Sequence, residues 1–217
     1  MVIVFLVVMG GYDQPKRPRA QSVDTDWLLA TDNANHAHPG MVCILTGPSE
    51  SPRRAAKVPK CQPWRYTKDP FVIWIDASIE VLSSDFVAMC LDTCPPGGVA
   101  AFPHPARDCI YTELGHSLGM SKYRGEPMAE QCATYAHDEA YPHHAGLWAA
   151  GVLVRDRSPQ VECMGGMWLD EIQRWSTQDQ LSLPVVCRRL GIDITPLPGN
   201  LLDNDWIRVH PHPNESR

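Results

Sequence analysis

The sequence contains no apolar run long enough to cross a membrane. Its apolar segment Val2–Val8 is far shorter than the roughly 20 residues that a membrane helix needs, and no basic residues precede it as they would in a secretory signal. We therefore predict a buried strand here and no membrane segment. Because no linker or low-complexity block divides the chain, residues 1–217 are predicted to form one domain with one core.

Cys-x-x-Cys pairs are also missing. The eight cysteines are scattered, without any Cys-x-x-Cys motif, which favours reduced thiols and a cytoplasmic location. No cysteine and histidine spacing matches a closed zinc site, and no cysteine has the surroundings of a recognisable nucleophile. A structural zinc protein and a thiol enzyme are therefore weak interpretations.

An excess of positive charge is the third absence. The formal net charge of -6 argues against broad binding to a phosphate backbone. Two local basic clusters remain available to a small anion. A compact phosphorylated ligand therefore fits better than bulk nucleic acid. The clusters consist of Lys16, Arg17 and Arg19, and of Arg53, Arg54, Lys57 and Lys60.

Apolar runs that alternate with amphipathic segments indicate an α/β fold. Helical spacing after residue 53 would place Arg53, Lys57 and Lys60 on one face. Further helices are predicted at 85–91, at 120–135 with a break at Pro127, at 166–175, and in a segment that ends near residue 190. Strands are predicted at 2–8, 27–30, 41–45, 71–75, 99–102 and 147–154.

A lone carboxylate, Asp76, follows the apolar strand predicted at 71–75. Ligands in open α/β sheets collect beyond the carboxyl ends of strands, and an isolated buried charge is costly. Asp76 is therefore expected either to contact a ligand or cation or to cap the next turn. Lys57 and Lys60 could meet a pyrophosphate nearby, although solvated surface charge is the alternative.

Three later segments also carry candidate functional groups. His104, Arg107 and Asp108 lie close together in sequence, where Asp108 could instead pair with Arg107. Ser176 and Asp179 have the spacing of a helix capping box. A carboxylate in the first turn of a helix has a low pKa and is a poor base, but it could orient a ligand hydroxyl or stabilise positive charge. The apolar tail at 197–212 is expected to pack back on the domain.

Taken together, these segments resemble the glycosyltransferase-like family of plant turgor-regulation and mucilage proteins and their bacterial relatives. The resemblance covers nearly the whole chain in order. It implies a GT-A-type, Rossmann-like fold with a mixed, mostly parallel sheet flanked by helices. The segments that carry it are Tyr12-Asp13, Lys57 to Lys60, Ile73 to Ser78, His104 to Tyr111, and Trp175 to Leu183.

The resemblance also implies roles for individual residues. It assigns Asp179 and Gln180 to the reacting centre, and His104, Arg107, Asp108 and Trp148 to the acceptor or cleft. Such folds hold Mn²⁺ or Mg²⁺ with an Asp-x-Asp motif, whereas this chain reads Asp76-Ala77-Ser78. A cation held by Asp76 would therefore take a second ligand from Ser78, from water, from the diphosphate, or from a distant residue such as His210 or His212. A cation-free enzyme that uses Arg and Lys is the competing interpretation. Donor binding is assigned to Tyr12, Asp13, Lys57, Lys60, Asp76 and Ser78.

The resemblance implies transfer of a sugar from a nucleotide-sugar donor, predicted to be a UDP-sugar, to an acceptor hydroxyl, which in such families is commonly on a glycan. An alternative acceptor is a hydroxylated base in DNA, which the basic clusters permit and the net charge does not favour. Another alternative is a sugar- or nucleotide-binding module that has lost catalysis, which the incomplete acidic motif supports.

Overall fold

Seven strands form one mixed sheet at the centre of the fold, in the order β3-β2-β1-β4-β7-β6-β8. The structure is a computed structural model that describes residues 1–212. Six of the seven strands run in the same direction, and β7 runs antiparallel to both of its neighbours. The strands are β1 (Val2–Val8), β2 (Thr25–Thr31), β3 (Val42–Leu45), β4 (Phe71–Ile75), β6 (Val99–Pro103), β7 (Trp148–Asp156) and β8 (Ile194–Pro196).

Helices cover both faces of this sheet. Alternate residues of β1 belong to different cores: Val4 and Leu6 face one side, and Phe5 and Val7 face the other. This arrangement explains why β1 is apolar throughout instead of alternating with polar residues. The helices are α1 (Pro52–Cys61), α2 (Phe86–Thr93), α3 (Ile110–Ser117), α4 (Met128–Asp138), α5 (Pro159–Arg174) and α6 (Asp179–Arg189).

The two faces are covered by different elements. On one face, α1, α5 and α6 contribute the side chains of Cys61, Trp168 and Leu183. On the other face lies α2, together with a two-stranded sheet of β5 (Ile79–Val81) and β9 (Ile207–Val209). A third apolar cluster joins α3, α4 and α6. The helices α3, α4 and α6 therefore form a group beside the end of the sheet.

The predicted α/β fold with a mixed, mostly parallel sheet is confirmed. The structure adds α3 and the short strands β5, β8 and β9, which the sequence analysis does not predict because their apolar patterns are too short. It also starts α5 at Pro159 instead of at residue 166, because Pro suits the first helical position and the Ser158 side chain accepts a hydrogen bond from the Val161 amide.

The C-terminal segment packs back on the domain, as predicted. Its strand β9 pairs antiparallel with β5, and the His210 amide donates to the Ser78 carbonyl at 2.9 Å. These bonds bring residues 210–212 beside the turn that follows β4. Within residues 1–212, no helix has the length and apolar character needed to cross a membrane.

Candidate functional site

A cavity of about 570 Å³ opens at the carboxyl ends of β1, β4 and β6. Ligands bind at this edge in open α/β sheets. Residues that follow the three strands line it, including Asp13, Asp76 and His104. Further walls come from α1, from α3, from the segment 120–123 and from the start of α6.

Two lysines and two carboxylates meet in this cavity. The ammonium groups of Lys57 and Lys60 lie 2.6 and 2.8 Å from the same Asp179 oxygen, Oδ2. Lys60 also lies 3.3 Å from Asp76 Oδ1, to which the Trp74 indole donates at 2.8 Å. Lys60 therefore joins the carboxylate that follows β4 to the carboxylate that begins α6.

Burial strengthens the ion pair between Lys60 and Asp179 more than the one between Lys60 and Asp76. The side chains of Lys60 and Asp179 are 5% and 7% exposed, whereas that of Asp76 is 41% exposed. Burial alone would raise the pKa of Asp179, but the positive charges of Lys57 and Lys60 outweigh it and hold that pKa well below its usual range. Asp179 is therefore ionised at neutral pH and is a poor proton acceptor.

The spacing of basic residues in α1 explains how they reach the cavity. Arg53, Lys57 and Lys60 lie three or four residues apart, so they share one helix face, and all three line the cavity. Helix α1 also packs very closely on α5 at Gly165, where an added Cβ would lie only 2.2 Å from the Cys61 carbonyl oxygen. The absence of a side chain at Gly165 therefore allows α1, which carries Lys60, to pack this closely on α5.

Aromatic side chains form another part of the cavity wall. The Arg53 guanidinium lies between two rings, 5.8 Å from the centroid of Tyr12 and 5.7 Å from that of Tyr123. The Tyr12 ring contacts the His212 imidazole with centroids 4.7 Å apart, and His212 Nδ1 lies 2.7 Å from Asp13 Oδ1. The C-terminal segment therefore contributes directly to the cavity.

Buried hydrogen bonds hold the loop that precedes Asp179. Ser176 donates to Gln131 Oε1 at 2.6 Å, and the Thr177 hydroxyl donates to Glu126 at 2.6 Å. Ser176 does not cap α6, so the capping-box interpretation is wrong: its hydroxyl is used in a contact with α4, and the Asp179 carboxylate is used in the lysine pairs.

The last residue of this loop connects it to α3. The Gln178 side chain donates to Glu113 Oε1 at 2.7 Å and to Ser117 Oγ at 2.9 Å. Glu113 also accepts a hydrogen bond from Arg107. The alternative pairing of Arg107 with Asp108 is therefore wrong, because Asp108 instead lies 2.8 Å from His144 Nδ1.

His104 lines the cavity beside this network. Its Nδ1 accepts the Arg107 amide at 3.0 Å, which fixes the ring. Burial, together with the positive charge of Arg107, lowers the pKa of His104 below its usual value. The imidazole is therefore neutral at pH 7.

Four of the predicted site residues lie elsewhere. Ser78 is buried with its carbonyl bonded to the tail, and His210 Nε2 lies 2.8 Å from Glu80. Asp108 and His144 form an exposed pair, and Trp148 lines a second cavity. The other predicted residues all line the first cavity: Tyr12, Asp13, Lys57, Lys60, Asp76, His104, Arg107, Asp179, Gln180 and His212.

The cavity contains potential ligands for a cation, although they do not form a complete site. Within residues 1–212 no group of three or more His, Cys, Asp or Glu side chains could hold a metal ion by itself. Mg²⁺ sites, however, commonly use one or two carboxylates and take their other ligands from substrate phosphates and water. The partly exposed Asp76 carboxylate fits that role, and of the two histidines proposed as metal ligands, His212 lines the same cavity.

Local sequence patterns do not identify the residues that support the site. Glu113, Glu126 and Gln178 are buried or half-buried and hold the loop before Asp179. A carboxylate at position 113, between the apolar residues Ile110 and Leu114 of α3, is the one signal that could have indicated a buried polar partner.

Comparisons with known proteins agree with this fold. The solved apo structure of WbbM, described as a bifunctional glycosyltransferase, superposes with a TM-score of 0.54 at 13% sequence identity. The match covers 91% of this chain and 38% of that chain, so this chain spans less than half of that protein. No curated protein sequence matches. Residues 30–202 match the TOD1/MUCI70, glycosyltransferase-like domain. The family resemblance seen in the sequence is thereby confirmed, and the chain belongs to the TOD1/MUCI70 family of glycosyltransferase-like domains.

Proposed function

We propose that this domain transfers a sugar from a nucleotide-sugar donor, specifically a UDP-sugar, to an acceptor hydroxyl. One observation carries the proposal: the cavity at the carboxyl edge of the sheet brings together Lys57, Lys60, Asp76 and Asp179. Family membership supports glycosyl transfer as the general activity. The nucleotide, the sugar and the acceptor are specific to the proposal.

The charges and rings of the cavity suit a nucleotide diphosphate. Five Lys or Arg residues line it against four Asp or Glu residues, so a bound anion meets a net positive surface. A nucleoside base can stack on the Tyr12 and His212 rings, because base and aromatic faces attract one another. The diphosphate then lies toward Lys57 and Lys60. Their positive charges stabilise the negative charge that develops on the leaving nucleoside diphosphate.

Asp179 acts in this proposal as a fixed negative charge. Its carboxylate is held by two lysines and remains ionised, so it can stabilise positive charge that develops on the anomeric carbon. The low pKa makes it unsuited to accept the acceptor proton. Gln180 also lines the cavity, and in this proposal its side chain donates a hydrogen bond to the donor sugar.

A divalent cation is part of the proposal. Asp76 and His212 would hold it together with the donor diphosphate, and the cation would supply a positive charge that neutralises the leaving nucleoside diphosphate. If this is right, excess chelator abolishes turnover and added Mn²⁺ or Mg²⁺ restores it. Full activity in excess chelator would contradict the metal proposal while leaving the transferase proposal standing.

A thermal-shift panel of nucleotide sugars tests the donor. UDP-sugars are expected to raise the melting temperature more than other nucleotide sugars, because a ligand that binds the native state stabilises it. If every nucleotide sugar leaves the melting temperature unchanged, the proposed function is wrong.

Slow hydrolysis of the donor without acceptor distinguishes an enzyme from a catalytically inactive binding module. Labelled sugar is then offered to glycans and to hydroxymethylated DNA to identify the acceptor class.

A further inference from the structure

A second cavity, of about 500 Å³, lies at the far end of α6 from Asp179. Its walls come from the later residues of α6, from the turn after that helix, from the start of β7 and from the loop before β7. The residues that define its chemistry are Tyr141, Trp148, Pro184, Arg188 and Asp193. None of them takes part in the first cavity.

Aromatic and apolar groups form one wall of this second cavity. Trp148 is half-buried and lines the cavity, so part of its side chain is open to a ligand. Tyr141 is 5% exposed, and burial raises its pKa to about 12, so the phenol is neutral at pH 7. Pro184 adds a further buried apolar surface. Aromatic faces of this kind pack well against the C–H face of a sugar ring.

Two charged side chains of opposite sign complete the cavity. Arg188 and Asp193 are both exposed, and neither forms an ion pair or a side-chain hydrogen bond with another residue in the range 1–212. Arg188 offers only donors and Asp193 only acceptors. Their charges cancel, so a neutral ligand with many hydroxyl groups fits better than a phosphate, which Asp193 would repel.

Two parts of the fold, the β6 and β7 ladder and helix α6, carry residues that lie at or beside both cavities. Trp148 pairs with Pro103 across the β6 and β7 ladder, and the neighbouring His104 amide donates to the Leu147 carbonyl at 2.9 Å. His104 lines the first cavity. Helix α6 begins at Asp179, and Arg188 lies about 13 Å farther along it, given the rise of a helix. This separation is comparable to the length of a short oligosaccharide.

We propose that the second cavity is a carbohydrate-binding subsite that holds a neutral sugar unit of an acceptor glycan, away from the hydroxyl that reacts. This inference rests on the proposed function, because it extends the acceptor from the first cavity into the second. It identifies the acceptor as an uncharged glycan of several sugar units, with Trp148 as the stacking platform and Arg188 and Asp193 as the hydroxyl-binding groups.

Binding of neutral trisaccharides built from glucose, galactose, mannose or xylose tests the subsite, measured by saturation-transfer NMR and by titration calorimetry. At least one of them is expected to bind the wild type, and Trp148→Ala should weaken it about tenfold or more. Trp148→Phe should retain most of the affinity, because it keeps an aromatic face. Arg188→Ala should also weaken binding, whereas Arg174→Ala, an exposed arginine on α5, should not.

Thermal unfolding of each variant verifies that it is folded. The inference is overturned if no trisaccharide binds the wild type, or if Trp148→Ala and Arg188→Ala bind as well as the wild type does. Failure of the proposed function gives a different result, because that function is tested by the binding of nucleotide sugars alone. Trisaccharide binding that depends on Trp148, without any binding of a nucleotide sugar, would retain the carbohydrate site and reject the transferase.

Discussion

At the scale of single residues, Asp179 is the group on which the site depends most. It is buried against two lysines that lie in a different helix, more than a hundred residues earlier in the chain. Removing one partner of a buried ion pair leaves the remaining charge uncompensated, which is strongly destabilising. The same pairs that make Asp179 a poor base therefore make it important for the fold.

Asp179→Asn is expected to lower the free energy of unfolding by about 3 kcal/mol at pH 7. The folded pKa of Asp179 lies below its unfolded value of 3.8, so its stabilising effect is present above that value and is lost as the pH falls below it. Urea unfolding from pH 8 to pH 3 should show a constant difference from wild type above about pH 5 and a shrinking one below about pH 4.

The matched control for this experiment is Asp170→Asn. Asp170 is an exposed carboxylate on α5, so its replacement should change stability by less than about 0.5 kcal/mol at every pH. A difference between Asp179→Asn and wild type that stays constant down to pH 3 would show that the lysine pairs do not stabilise the native state.

Gln180 offers a cleaner test of catalysis than Asp179. It lines the cavity, and its side chain has no hydrogen-bond partner within residues 1–212, so Gln180→Ala should leave the fold intact. If its amide contacts the donor sugar in the transition state, kcat should fall about tenfold or more with little change in donor KM. The exposed Gln173→Ala is the control. Unchanged kcat in Gln180→Ala would remove Gln180 from the reacting centre.

At the scale of secondary-structure elements, the contact between α1 and α5 positions the lysines. Two adjacent glycines of α5 have different surroundings. An added Cβ at Gly165 would lie 2.2 Å from the Cys61 carbonyl oxygen, whereas one at Gly166 would meet its nearest atom, Gln62 Nε2, at an ordinary 3.6 Å. The two positions therefore form a matched pair within one helix.

Gly165→Ala is expected to destabilise the protein by about 1 to 3 kcal/mol, because the new methyl group forces α1 away from α5. Gly166→Ala should instead stabilise it by about 0.5 to 1 kcal/mol, the gain from replacing glycine within a helix. Chemical unfolding measures both changes. Gly165→Ala should also weaken donor binding, because Lys57 and Lys60 move with α1. Equal stability of the two variants would contradict the close helix contact.

A chain of buried polar groups links the other elements around the loop before α6. From the Ser176–Gln131 pair it continues through Tyr135, which donates to Glu171 at 2.5 Å. Arg189 then contacts Glu171 at 2.7 Å. Because each buried group has a partner, the network can hold the loop in one arrangement. Helices α4, α5 and α6 therefore share the task of positioning Asp179.

At the scale of the whole molecule, both apolar cores share one sheet. Adjacent residues of β1, β2 and β4 contribute to opposite faces, so neither core can persist without the strands that form the other. We expect a single cooperative unfolding transition. Scanning calorimetry should give a calorimetric enthalpy equal to the van't Hoff enthalpy, and a bound UDP-sugar should shift the whole transition upward. Two resolved transitions would show that the chain contains two independently stable units.

Local sequence patterns were sufficient to predict the buried strands of the sheet and the basic face of α1. Apolar runs in β1, β4 and β7 have the composition of doubly buried strands, and Asp76 follows the second of them. The spacing of Arg53, Lys57 and Lys60 placed them on one helix face. These features follow from side-chain periodicity and from the direction of parallel strands, which are properties of short segments.

Only the tertiary structure decided which distant groups meet. The register of β9 against β5 directs His210 to Glu80 and brings His212 to Asp13. The pairing of Lys60 with both Asp76 and Asp179 depends on how closely α1 packs on α5. Such contacts depend on the packing of elements far apart in sequence, and no periodicity within a segment encodes them. The sequence by itself thus determined a glycosyltransferase-like sheet with Asp76 at its carboxyl edge, and packing alone selected the partners of that carboxylate.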